Sequence, residues 1–442
     1  MRPSRRTRHA LLLACAVPAV PAMIAGCATA PTAAQSTTGQ PSTGRQAPQV
    51  LSVGAQRVTP APAARAGGDL SSFGGRVFLA DAGISPTSNA AISPYSIYSA
   101  LAMTRAGAKG ETGAQLDRAL GGSAKVQGAD VTAIDTAVAA AVSAARRESG
   151  AKAPQMVVTN ANSIWSDRSL PVRKTYLTSL AAGFGAGVHT VDFRHDPAGA
   201  RGQINGWVKD RTNQLIPQLL GPSAVSSQTR IELVNAIYLK ARWAERMTVS
   251  SRPHVFTTAD GKTQQVTVMT DRSPMSLGAG HGWRSVTIPY TAGGLAMTIV
   301  LPEKGRYDAV RRQLPSVLSD ATRGTTSTQV QLTLPKFSTN THTNLVPALT
   351  TMGVRALFGR ADLSGIAGPP GELKVSSVIH QSVVKVDEFG TQAAAATAVG
   401  VAPGAVRQSQ PVSFVVDRAF FFVIHDTTTG APLFLGQVAN PA

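Results

Sequence analysis

From Phe389 to Gln410 the only charged residue is Arg407, and no aromatic side chain occurs between Phe389 and Phe414. Two strand-like apolar segments, Val383–Val386 and Val412–Val416, flank this stretch. Ala393–Ala396 favours helix on intrinsic grounds. Gly390 before it, and Gly400, Pro403 and Gly404 after it, work against a stable one. The chain must therefore carry a long connection of small side chains between two strands, and such a connection in a compact domain is functional or disordered.

The remainder must supply the core. Hydrophobic residues make up 43% of the 442-residue chain and aromatics only 5%, so burial rests on Ala, Val, Leu and Ile. Helical spacing predicts helices over Ile97–Ala106, capped by Ser93 with Pro94 in the first turn, over Asp130–Arg147 with Asp130 as cap, and within Ile204–Leu220 as far as Pro217. Strands are expected at Ile231–Leu239, Val286–Ile288, Ala296–Leu301, Val330–Leu334, Val412–Val416 and Phe420–His425. Helices come early and strands late, which indicates an α+β fold rather than alternating βα units.

The N-terminus carries a different signal. Arg2, Arg5, Arg6 and Arg8 precede an apolar run from Ala10 to Ala25 that Pro18 and Pro21 interrupt. The run is short for a bilayer span and has the layout of an export signal. Ile24-Ala25-Gly26-Cys27 resembles a bacterial lipobox, in which the cysteine accepts a lipid and becomes the new N-terminus. Residues 1–27 are read as a lipoprotein signal peptide, with Cys27 the lipidation site; an ordinary signal cut near Ala30 is the alternative. Residues 28–67 contain no Asp, Glu, Phe, Tyr or Trp and are expected to be a disordered tether, with a single domain over 68–442. Export to a membrane-anchored surface position, or release outside the cell, follows from this reading. Cys15 and Cys27 are the only cysteines, so a mature chain beginning at Cys27 has no internal disulfide and no cysteine-based zinc site.

Common catalytic signatures are absent. There is no Gly-x-Ser-x-Gly elbow and no His-Glu-x-x-His pair, and the eight histidines are scattered. Gly261-Lys262-Thr263 ends like a phosphate loop, but Phe256 occupies the place of its first glycine, so a turn between strands is expected. The chain is read as neither an enzyme nor a holder of metal or cofactor. Basic residues are not interleaved with aromatics as nucleic-acid stacking surfaces require, so no nucleic-acid partner is expected. Four signal arginines account for part of the +18 net charge and leave +14. Such a charge favours anionic polymers or surfaces without naming one.

Several separated motifs resemble the serpin family, and the match covers about residues 69–442. Asn89–Ser96 with Ala100–Met103 and Gly107–Thr112 resembles the family's early helix and turn. Asn205–Ile216 resembles its Trp-Val…Thr-Asn helix, and Leu233–Lys240 with Trp243 its central strand. Phe414–Asp417, Phe420–Ile424 and Pro432–Gly436 resemble the closing strands. The resemblance implies three β-sheets, about eight or nine helices and an exposed reactive-centre loop at about 390–411, within an α+β fold.

The implied activity is suicide inhibition of a serine, or alternatively cysteine, endopeptidase, in which the cleaved loop enters the central sheet and traps the acyl-enzyme. A monomer is expected. A non-inhibitory binding or chaperone module is the alternative. By the resemblance Thr391, Ala393, Ala395 and Thr397 face inward after insertion, where small uncharged side chains can be buried without unpaired charge. Gly390 is the hinge glycine and Glu388 the hinge acid. The scissile bond falls after Gly404, Ala405 or Val406, which suits an elastase- or subtilisin-like target; Arg407 suits a trypsin-like one. Ser93, Ser96, Asn235 and His380 match a polar shutter under the opening sheet, and Trp243 the breach where the loop enters. Heparin serves some family members, so weak polyanion binding is a further expectation. Phe389 stands where the family usually has a charge, and Ala419 where it usually has proline before Phe420.

Overall fold

A computed structural model describes residues 48–150, 156–323, 326–392 and 410–441. Nine α-helices and three sheets of seven, nine and two strands make up these residues, the α+β architecture expected. The helix Pro94–Gly107 starts at Ser93, whose hydroxyl accepts the Ser96 amide, with Pro94 in the first turn. Apart from Arg105 and Ala106 its residues are buried, so it serves as a central prop rather than an amphipathic surface helix. The helix Ala63–Ala80 packs close to the chain end. A Cβ on its Gly67 would lie 1.8 Å from the Thr429 carbonyl oxygen, so no larger residue fits there.

Three boundaries differ from expectation. Asp130 lies inside the helix Ala124–Ser149, and its buried carboxylate pairs with Arg65 at 2.7 Å instead of capping. The Ile204–Leu220 pattern belongs to a helix that begins at Pro197, capped by Asp196, and stops at Arg211. Asn213 and Gln214 take positive φ and turn the chain out of it. Residues 48–67, expected in the tether, are part of the folded domain. Gln49–Leu51 adds an edge strand on Val188–Val191, and Arg57 bonds Asp135, Thr132 and the Gly183 carbonyl. Backbone pairing, the two arginines Arg57 and Arg65, and the packing of Leu51, Val53 and Ala61 against the core hold this segment, contacts that a search for aromatic and acidic residues does not detect.

The seven-stranded sheet runs in the order Gln49–Leu51, Val188–Val191, Val157–Asp167, Ile231–Arg242, Gly390–Thr391, Val378–Asp387, Phe337–Asn344. The nine-stranded sheet holds the strands after the loop. Val412–Val415 lies parallel to Thr326–Pro335, and Phe420–Asp426 and Pro432–Val438 are buried throughout. The chain leaves one sheet at Thr391 and joins the other at Val412. Gly261-Lys262-Thr263 lies at the turn of the hairpin His254–Thr257 and Thr263–Val266, as expected.

Candidate functional site

Two central strands of the seven-stranded sheet, Ile231–Arg242 and Val378–Asp387, meet only partway. Val378–Gln381 pairs in parallel with Leu233–Ala236. At the other end the strands are parted by Gly390–Thr391, which pairs antiparallel with Val386–Asp387 on one side and Ala241–Arg242 on the other. Between these two zones, Ile237–Lys240 and Ser382–Lys385 have no strand partner on their facing edges among the described residues. Parallel strands normally share a continuous ladder, so among the described residues this is a slot that no strand fills, entered on the 382–385 edge by Gln392 alone.

Below the slot, Asn162, Asn235 and His380 form one row across three strands, being register partners in sequence. His380 is fully buried. Its Nε2 accepts the Ser93 amide at 3.1 Å, so its proton resides on Nδ1 and is donated to the Asn235 side-chain oxygen Oδ1. Asn235 donates to Asn162 Oδ1 at 3.3 Å, which also accepts the Ser96 hydroxyl at 2.6 Å. Asn162 returns a bond to the Ser96 carbonyl at 2.8 Å. Burial first, then the nearby His342, pushes the His380 imidazole down to about 3, so it is neutral. The four residues expected at a shutter thus come together, and Asn162 joins them. An asparagine in a strand, where the residue type is depleted, is the sequence signal for it.

Above the slot, Trp243 donates its indole N–H to the Asp387 carbonyl at 2.9 Å and its backbone N–H to the Phe389 carbonyl at 3.1 Å. Its ring stacks on Tyr290 with centroids 4.7 Å apart. Tyr290 in turn shares a 2.5 Å hydroxyl contact with Thr391, which is buried. Asp387 Oδ1 accepts the amides of Phe389 and Gly390, closing a tight turn. Gly390 has φ +148, and a Cβ there would lie 2.1 Å from the Ala241 carbonyl oxygen; only glycine fits this wedge. Glu388 pairs with Lys336 at 2.6 Å. Partial burial pushes the Glu388 carboxyl up, but the Lys336 contact outweighs it and holds the group below its ordinary value.

The two departures from the family pattern have local partners. The Arg246 guanidinium lies 4.3 Å from the Phe389 ring centroid, a cation–π contact that puts an apolar residue to use at the turn. Ala419 donates its amide to the Thr257 carbonyl at 3.0 Å, a bond proline lacks the hydrogen to make. Tyr290, Lys336 and Arg246 were not found by sequence reading, since each comes from an element remote in sequence. Ala393, Ala395, Thr397, Gly404, Ala405, Val406, Arg407 and Cys27 lie outside the described residues.

A family model described as Serpin (serine protease inhibitor) matches residues 69–441. A leukocyte elastase inhibitor of Bos taurus is 33% identical over 368 residues, 80% of this chain and 94% of that protein. Serpin-ZXA of Oryza sativa subsp. japonica is 34% identical over 367 residues, 80% of this chain and 90% of that one. Among solved structures, native protease nexin-1 with heparin superposes at a TM-score of 0.71 with 28% identity, covering 86% of this chain and 100% of the other. The native thermophilic serpin tengpin gives 0.75 at 23% identity, covering 89% and 100%, a likeness of fold.

Proposed function

This chain belongs to the serpin family, and from that premise we propose that it is a suicide inhibitor of serine endopeptidases. Members of the family are typically protease inhibitors rather than enzymes. The observation that carries the reading is the two-residue strand Gly390–Thr391, which already occupies the upper end of a slot whose lower end is closed by direct pairing. Cleavage beyond Thr391 frees the loop to continue the strand it has begun. Each added residue exchanges solvent contacts for ladder bonds and buried surface, so the uncleaved state is held kinetically. A protease acylated on the severed end travels with it and is distorted before water releases it.

The row of Asn162, Asn235 and His380 is the latch that resists this opening, because separating the strands breaks bonds buried under the sheet. Trp243 and Tyr290 hold the entrance. Small residues at Gly404, Ala405 and Val406 favour an elastase- or subtilisin-like target, and the name of the bovine relative points the same way. Arg407 makes a trypsin-like protease the second choice. Residues 1–27 would direct export and Cys27 would carry a lipid anchor.

The test mixes the full chain with an elastase, a subtilisin and a trypsin-type protease. A protease complex that survives boiling in detergent is expected with the first or second, and mass mapping of the new terminus identifies the bond. Complete loop cleavage with no complex for any of the three would overturn the inhibitor reading in favour of a binding module.

A further inference from the structure

Gln392 is the first residue beyond the inserted pair, and it makes two bonds to the same slot edge. Its backbone amide reaches the Lys385 carbonyl at 2.8 Å, which continues the ladder by one rung. Gln392 itself has φ +50, a left-handed conformation costly for a residue with a Cβ and unlike that of an extended strand. Its side-chain amide swings back and donates to the Val383 carbonyl at 2.7 Å. The register identifies that acceptor. Thr391 stands opposite Val386, so residue 392 stands opposite Lys385 and residue 394 opposite Val383. In an antiparallel ladder the bonded pairs recur every second residue. The Val383 carbonyl is therefore the one that the backbone amide of Ala394 would take if the strand grew.

We infer that Gln392 is a positioning residue whose side chain sets the resting depth of the reactive loop by occupying the next rung of the slot. This inference rests on the inhibitor reading above. The catch holds without being tight. The Gln392 Oε1 atom is buried with no hydrogen-bond partner among the described residues, and the backbone is strained, so part of what the donated bond contributes is offset. Such a catch suits a loop that must stay exposed as bait and then enter without a large barrier at the first step. Val383 without the amide would present an unpaired carbonyl, which favours further entry of backbone. Docking of Gly390 and Thr391 does not depend on it, since their ladder bonds and the Tyr290 contact remain.

The experiment follows the uncleaved full chain, held just below its melting transition, as it converts to a urea-resistant form that no longer captures elastase. Gln392→Ala removes the donor. Gln392→Asn keeps tolerance for the left-handed backbone but is one methylene too short to reach Val383. Both are expected to convert about 5- to 10-fold faster than the parent, the factor for one hydrogen bond. Acceleration in the alanine variant alone would assign the effect to the backbone turn and overturn the inference. Parental or slower rates in both, or no conversion in any of the three chains, overturn it as well. A parallel measurement separates the two claims. If nicking the parent loop with subtilisin raises its melting temperature while the variants keep parental rates, the catch fails and the inhibitor reading stands. If nicking changes nothing, both fail.

Discussion

His380 and Asn235 are register partners at the place where the two central strands touch, and the imidazole donates to the asparagine across that contact. The same ring accepts the Ser93 amide, which ties the pair to the helix beneath the sheet. One neutral side chain thus joins three elements that would have to separate for the proposed loop insertion to open the sheet.

Protonation of His380 would break this arrangement, because a charged ring cannot accept from Ser93. Its imidazole titrates at about 3 in the folded chain against 6.5 in the unfolded one. Between those values the unfolded state binds a proton that the folded state does not, so stability falls as pH drops from 6.5 toward 3. The slope from this group approaches about 1.4 kcal/mol per pH unit. His189 and His425, each pushed down to about 4 by burial first, add to it. Urea midpoints measured from pH 7 to pH 4 should fall less steeply in His380→Gln than in the parent. Parallel curves would show that this ring is not the titrating group.

Glu232 gives the opposite dependence. It is buried beside the start of the parallel pairing, with the Ser377 hydroxyl on one oxygen at 2.9 Å and no partner on the other among the described residues. Burial pushes its carboxyl up from 4.5 to about 8. A raised folded value means stability present below pH 4.5 is lost as pH rises through 8, since the unfolded chain ionises first. Glu232→Gln mimics the protonated form. Its melting temperature should match the parent near pH 4.5 and exceed it increasingly toward pH 8; a constant difference would exclude ionisation as the cause.

Gly390→Ala should expel the wedge. The added Cβ meets the Ala241 carbonyl oxygen at 2.1 Å, and the backbone angle is unfavourable for any side chain. A stability loss of about 1–3 kcal/mol is expected from strain of this kind. On a denaturing gel with elastase, the fraction cleaved without capture should rise relative to the parent. Unchanged capture and unchanged melting would mean the hinge docks without needing glycine.

Trp243 should report on entry of the loop. Its indole lies against Tyr290 and bonds the Asp387 carbonyl at the top of the slot. Loop cleavage in the parent should change tryptophan emission, and Trp243→Phe should remove that change while costing about 1 kcal/mol for the lost hydrogen bond. Persistence of the signal in the variant would place its origin at Trp165, Trp207 or Trp283.

Elements with their own local signals were readable in advance. Ser93-Pro94 marked the start of the prop helix, and the largely apolar runs at Ile231–Leu239 and Phe420–His425 marked central strands that extend to Arg242 and Asp426. Val157–Asp167 was missed because its polar Asn160, Asn162 and Ser163 obscure any strand alternation, and Val268–Gly280 because Pro274 and its glycines read as breakers. At the site, Ser93, Ser96, Asn235, His380 and Trp243 could be named from motifs alone. Tyr290, Lys336 and the turn at Gln392 could not, because their roles exist only through register and close approach between strands far apart in the chain.

The outgoing strands have a consequence for what a cut in the loop produces. Val412–Val415, Phe420–Asp426 and Pro432–Val438 all lie on the C-terminal side of such a cut and are knitted into the nine-stranded sheet, the last two without exposed residues. The severed tail is therefore retained as an integral subunit. Size-exclusion chromatography should register one particle of undiminished mass, while denaturing electrophoresis of the same sample resolves two polypeptides.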